Sequence, residues 1–324
     1  MIKIVIVFAA ALFFSLTISS VASANGGPHG GYAPATDACA GCHRTHTAEG
    51  PQLLIATSTY GLCMTCHGST TGGADTNVQD GYFLDSRSTS TNAITSTATN
   101  GYLLAGGFTM YKGTAATSSH DVSGSVTTAW GNGGANRGVV GSLALARGGL
   151  DCASCHDPHG STNYRIMNNV VNSVTISMAQ VDESVKDYDT EHWSTGQSDL
   201  CTACHATYHV TTAGSGSSAS VATAGGYAHR IDMPYSYSFN NKTNVNPETI
   251  GIAAGGGTTY TLPLAGTDVV CQTCHLPHGT SATMSGLAAG GATGSGTLPG
   301  NTTATDSALL RLNNRAVCET CHQK

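Results

Sequence analysis

The stretch from Asp151 to Ser161, DCASCHDPHGS, contains two cysteines separated by two residues and followed at once by a histidine. In that order Cys152, Cys155 and His156 form a c-type haem attachment site, in which each thiol adds to a vinyl group of the porphyrin and the adjacent imidazole binds the iron from one face. His159 follows three residues later. On a short helix the two imidazoles project in broadly the same direction, whereas the two axial ligands of one iron must approach from opposite faces. His159 is therefore expected to serve a different haem and to hold two porphyrins close together.

All twelve cysteines fall into six such motifs, numbered here as sites one to six in chain order. They are Cys39/Cys42/His43, Cys63/Cys66/His67, Cys152/Cys155/His156, Cys201/Cys204/His205, Cys271/Cys274/His275 and Cys318/Cys321/His322. Disulfides in an exported protein would not require a histidine after every second cysteine, and zinc sites usually pair separate Cys and His clusters. Six haem c groups are expected, with His43, His67, His156, His205, His275 and His322 as proximal iron ligands.

Eight histidines remain for the opposite faces. His46, His159 and His278 follow a proximal histidine with two residues between, and His209 follows His205 with three, so these four are expected distal ligands. His120 in SSHDVSG and His229 in YAHRIDM complete the set. Each precedes a CxxCHxPHG site, at sites three and five, like the traces of a degenerate duplication. His29, in a Gly-rich start, and His192, in an acidic loop with Asp189, Glu191 and Trp193, read as non-ligands. With imidazole in surplus, Met110, Met167, Met178, Met233 and Met284 read as packing against porphyrin edges.

The elements that must position these residues are sparse in the sequence. Ser69 to Gly149 is rich in Gly, Ser, Thr and Asn without a sustained apolar period and reads as mostly loop. Val174, Ile176 and Met178 alternate, as do Tyr260, Leu262 and Leu264, and each set predicts a short strand. Asp306 is positioned to cap a helix that would place Leu309, Leu312, Ala316 and Val317 on one face and lead into site six. Gly214 to Gly226 and Gly286 to Gly300 read as low-complexity loops or linkers. The fold class expected is mostly irregular coil with short helices and few short strands, wrapped around a chain of six covalently bound c-type haems.

Composition agrees with that reading. Aromatic residues are only 6% of the 324-residue chain and Gly numbers 41, too little large apolar surface to offset the entropy of ordering it. Haem would supply the missing core. Residues 1–24 begin with Lys3 and an apolar run and end in Ala22-Ser23-Ala24, the pattern of a cleaved Sec-type secretory signal. Residues 25–324 are then one hexahaem domain, extracellular, at the cell surface or periplasmic, and not inserted in a membrane. Without the signal, 12 basic residues face 19 acidic ones, near −7, and haem propionates would add to this, so nucleic acid is a poor partner. Asn241-Lys242-Thr243 matches a glycosylation sequon.

The order of the six sites, the HDPHG at the third, the second histidine after the first, third, fourth and fifth, and the last residues just beyond the sixth together resemble the OmcS-type extracellular hexahaem cytochromes, which polymerise into conductive filaments. The resemblance implies head-to-tail self-association in which His46 binds a haem of the next subunit near its C-terminal end, such as that of Cys271 and Cys274. It also implies outer-membrane or periplasmic cytochromes as electron donors and metal oxides, electrodes or partner cells as acceptors. Histidine on both faces of each iron leaves no position for a substrate, and no catalytic triad or phosphate loop is present, so the chain reads as an electron-transfer protein rather than an enzyme. A discrete periplasmic or surface carrier is the alternative, and a multihaem reductase, which needs one open iron, a third.

Overall fold

The computed structural model describes residues 29, 38–68, 74, 76–84, 99–130, 140–145, 148–179, 192–208, 220–221, 226–227, 229–235, 252–254, 258–260, 262–284, 307–313 and 316–322. The signal segment, Asp306, His209 and the Gly286–Gly300 stretch lie outside them. The chain is mostly coil with short helices and strands. Helices α1 (Thr59–His67), α2 (Cys152–Cys155), α3 (Gln197–Thr202), α4 (Cys271–Cys274) and α5 (Ala316–His322) each carry all or part of an attachment motif. A 3-10 turn, Ala38–Gly41, holds Cys39. One helical turn is what the motif demands, because residues three apart project from the same side.

The motif residues themselves set these short helices. In CASC the Ser154 hydroxyl accepts from the Asp151 N–H at 3.0 Å, and in CQTC the Thr273 hydroxyl accepts from the Val270 N–H at 3.1 Å, each satisfying a backbone donor just ahead of the turn. The Ser58 hydroxyl caps α1 by accepting from the Gly61 N–H at 3.0 Å. Helix α1 packs on α2, and α3 on α4.

Paired strands among the described residues are antiparallel and at most five residues long. The Ser69–Gly149 stretch, expected to be mostly loop, holds a three-stranded sheet (Thr76–Asn77, Tyr82–Leu84, Thr99–Tyr102) and further short strands, among them Met110–Tyr111 with Thr114–Ala115 and Thr128–Trp130 with Val140–Ala144. Ladders this short are held by backbone hydrogen bonds and leave no apolar period to read. Of the two predicted strands, only Val174–Thr175, paired with Val170–Val171, and Thr258–Tyr260, paired with Ile252–Ala254, are ladders. Ile176, Met178, Leu262 and Leu264 lie beyond the strand ends as buried coil.

The helix expected from Asp306 does not begin there. Ala308 and Leu309 have φ of 50° and 62°, in the left-handed region that an α-helix excludes, and the helix starts at Ala316. Leu312, Ala316 and Val317 still share one apolar cluster, with Leu262, but it is assembled across a turn.

Small apolar clusters stand in place of a single core. Tyr164, Val171, Ile176, Met178 and Ala203 pack with Cys204; Leu262, Leu312, Ala316 and Val317 pack with Cys274 and Cys321; Trp193, Ala265 and Val270 form a third cluster. Two of these clusters therefore end on attachment cysteines, where a porphyrin edge would continue them. Met178 belongs to the first cluster, whereas Met110 is exposed.

Polar side chains do much of the remaining fastening. Asn163 is buried; its amide donates to the carbonyls of Asn168 (3.2 Å) and Ile176 (3.0 Å), and its oxygen accepts from the Met178 N–H at 2.8 Å. Replacing it with leucine strands buried backbone groups at about 1–3 kcal/mol each. Asn163→Leu is expected to lower the thermal midpoint followed by far-UV circular dichroism, with Asn163→Asp, which keeps the acceptor, intermediate.

No helix among the described residues is long and apolar enough to cross a membrane.

Candidate functional site

The proximal histidines of sites one, three and five are seated by one recurring device. After each motif a strap of three residues returns to the histidine: Gln52-Leu53-Leu54, Arg165-Ile166-Met167 and Ala308-Leu309-Leu310. In each strap the first two residues have positive φ, 56° and 61°, 55° and 51°, 50° and 62°, although none is glycine. The third forms an antiparallel bridge with the histidine itself. The first residue's carbonyl then accepts from the imidazole Nδ1, at 2.8 Å for His43, 3.0 Å for His156 and 2.9 Å for His275. Such backbone costs about 1–3 kcal/mol per residue and persists where a site over-determines it. What it achieves here is to commit the Nδ1 proton, leaving the Nε2 lone pair outward, an arrangement that metal-binding imidazoles use.

Among the described residues site two lacks this strap, and the segment that follows site four lies outside them. His67 ends α1, and its Nδ1 meets the Thr76 hydroxyl at 3.0 Å. His205 follows Cys201 with its backbone N–H on the Cys201 carbonyl at 2.8 Å. The His322 side chain lies outside the described part of the structure.

Four proximal rings each face a second imidazole from elsewhere in the chain. Ring centres are 6.2 Å apart for His43 and His159, 6.1 Å for His67 and His29, 6.5 Å for His156 and His278, and 6.2 Å for His205 and His120. A first-row metal holds an imidazole nitrogen at roughly 2 Å, and the ring centre lies about 1 Å behind it, so two rings across one ion have centres about 6 Å apart. The four spacings fit an iron with imidazole on both faces.

The incoming rings are also oriented. His29 Nδ1 is 3.1 Å from the Pro158 carbonyl and His120 Nδ1 2.6 Å from the Pro277 carbonyl. His278 stacks on Phe108 with centres 4.6 Å apart. Gly279 beside it runs so close to Gly106 and Gly107 that a β-carbon at Gly279 would overlap the Gly107 carbonyl. Burial, with the neighbouring His205, lowers the pKa of His120; burial, with His156, pushes that of His278 down to about 3, so both rings are neutral and able to donate a lone pair near pH 7.

His156 and His159 do face different partners, but not because a helix carries both. Helix α2 stops at Cys155, His156 is extended (φ −106°, ψ 142°), and Pro158-His159 form a turn that swings the second ring away. His29, expected to be a non-ligand, stands against His67. Its Pro28-His29-Gly30 matches Pro158-His159-Gly160 and Pro277-His278-Gly279, a signal the sequence does hold. His46, His192 and His229 are exposed, and His209 lies outside the described residues.

The attachment cysteines place consecutive sites side by side. None of the twelve is paired in a disulfide. Cys63 lies beside Cys152, and Cys201 beside Cys271, joining site two to three and four to five. Burial raises the Cys42 pKa, helped by Cys63 and Cys66; it pushes Cys155 up to about 12, helped by Cys204, and Cys274 up to about 12, helped by Cys321 and Cys318. Sites one and two, three and four, and five and six are thereby neighbours as well. The sites form a file in sequence order.

A family model described as the doubled CXXCH motif matches residues 32–72 and 144–174. Among curated proteins none matches the sequence. Among solved structures the chain is similar to the Outer Membrane Cytochrome S filament from Geobacter sulfurreducens, with 15% identity over 88% of this chain and 98% of that one and a TM-score of 0.39. Doubled CxxCH motifs hold covalent haem, and haem c is the cofactor these residues fit.

Proposed function

We propose that this chain, a multihaem c-type cytochrome, conducts electrons through six bis-histidine haems arranged in sequence order, as an exported protein that polymerises head to tail. The observation that carries the reading is the set of four imidazole pairs with centres 6.1–6.5 Å apart. Haem would supply one-electron iron chemistry, and an imidazole pair holding each iron would leave no place for a substrate.

The chain's own residues do the rest. The cysteine pairs fix each porphyrin covalently, the straps at sites one, three and five aim Nε2, and histidines from distant segments close the opposite faces. The pairs that would hold an iron are His43 with His159, His67 with His29, His156 with His278, and His205 with His120. A pattern runs through them: at odd sites the second ligand comes from the HxxH of the next odd site, and at even sites from a histidine that precedes the doublet. Extended to the end of the chain, it gives His322 the ring of His229, and it gives His275 the ring of His46 from a second copy. His209 and His192 then stand outside the six pairs.

A ligand supplied by the next copy makes a heterologous contact, which does not close on itself and so builds a filament. Residues 25–324, freed of the signal, act as one hexahaem domain. They accept electrons from periplasmic or outer-membrane cytochromes and pass them to extracellular acceptors such as metal oxides or electrodes.

Haem assay of the purified holoprotein is expected to return six equivalents per chain, with low-spin iron throughout by electron paramagnetic resonance and filaments by electron microscopy. Far fewer equivalents, or mainly high-spin iron, would overturn the reading. Discrete particles at every concentration would reduce it to a soluble carrier with the same ligation.

A further inference from the structure

The chain contains two seams between successive doublets of sites, and they are built alike. At the first, His159 faces His43, His29 faces His67, and His29 Nδ1 lies 3.1 Å from the carbonyl of Pro158. At the second, His278 faces His156, His120 faces His205, and His120 Nδ1 lies 2.6 Å from the carbonyl of Pro277. The second seam adds backbone contacts: the His120 N–H donates to the His278 carbonyl at 3.2 Å, and Ser118–Ser119 pairs antiparallel with Gly279–Thr280. Each seam therefore joins a leading histidine and an odd proximal histidine of one doublet to an x-Pro-His turn of the next.

The two ends of the molecule hold the halves of one more seam. At the third doublet, His229 is the leading histidine and His275 the odd proximal one, both accessible. At the first doublet, the turn is Arg44-Thr45-His46, exposed along its length, with Thr45 where the inner seams have proline. His229 Nδ1 bonds locally to the Arg230 carbonyl at 2.7 Å, a contact that a rotation of the ring exchanges for another acceptor. The halves belong to the first and last doublets of the file, so a second copy is the partner that brings them together.

We infer that the contact between copies repeats the inner seam, with His229 Nδ1–H donating to the Thr45 carbonyl of the next copy and the His229 N–H to the His46 carbonyl of that copy. The acceptors are backbone atoms, which explains how threonine stands at a position that is proline twice inside the chain. This inference rests on the filament reading, and it adds which residues meet and in what register. The operation that carries one doublet to the next within a chain also carries the third doublet to the first of the following copy.

Cryo-electron microscopy of holoprotein filaments is the test. The expected map has the His229 ring within hydrogen-bond reach of the Thr45 carbonyl across the interface, and an interface that superposes on the contact between doublets two and three. Filaments joined through other residues would overturn the inference and leave the conduit standing, whereas particles that never polymerise would remove the filament reading itself. Thr45→Pro, which installs at the outer seam the residue both inner seams carry, is expected to polymerise at the same concentration as the parent. Loss of polymer in that variant with six haems retained would also overturn the inference.

Discussion

His29→Ala is expected to retain six covalently bound haems while one of the six changes from low-spin to high-spin iron. The haem at Cys63 and Cys66 stays attached through its thioethers and His67, but the ring 6.1 Å away that closes its other face is gone. Two measurements read this directly: a high-spin ferric signal accounting for about one-sixth of the iron, and uptake of about one equivalent of cyanide per chain, where the parent takes up little. The same substitution removes the bond from His29 to the Pro158 carbonyl, so the first seam is also weakened. Imidazole added to the medium should restore the low-spin spectrum without restoring that bond. A variant whose spectrum and cyanide uptake match the parent would remove His29 from the ligand set and return the place to His209 or His192.

His46→Ala is expected to abolish polymers without touching haem loading. His46 is exposed, while His275, seated by its strap, has its Nδ1 committed and is itself exposed. Removing one coordinate bond per interface, at about 1.4 kcal/mol for each factor of ten, should raise the dissociation concentration by on the order of a thousandfold or more. In the resulting particles one further haem becomes high-spin and cyanide-reactive, that of Cys271 and Cys274. His46→Met, whose thioether can still occupy iron, should recover part of the polymer. Filaments of normal length from His46→Ala would show that copies are joined some other way.

These two variants separate what is carried by single residues from what is carried by the array. In the proposed function His29 would act within a chain and His46 between chains, yet both follow from one repeating arrangement in which a doublet borrows imidazoles from its neighbour. The straps explain why the borrowing is orderly. Two consecutive left-handed residues ahead of Leu54, Met167 and Leu310 are unfavourable locally, and they recur at each odd site because the carbonyl they turn inward holds the proximal ring against rotation.

Much of the site is legible in the sequence. Cysteine spacing marks all six attachment motifs, and a poverty of large apolar residues points to a coil-rich chain with small clusters in place of a core. Other expectations fail for identifiable reasons. HxxH spacing suggests one helical turn, but α2 ends at Cys155 and Pro158 turns the chain. The apolar period from Leu309 to Val317 suggests one helix, but the strap at Ala308 and Leu309 interrupts it. The glycines around His29 suggest a loose end, whereas its ring stands 6.1 Å from that of His67, and its Pro-His-Gly context matches the turns of His159 and His278.

The sequence by itself determined where haem would be attached, because thioether formation and proximal ligation need only five contiguous residues, and one turn of backbone brings them together. Only the tertiary structure decided which imidazoles face each other. His43 and His159, or His156 and His278, are more than a hundred positions apart, and no local preference links them. They meet because strapped proximal rings and Pro-His turns are brought face to face by the stacking of successive doublets, a contact that exists only once the chain has folded back along its own file of sites.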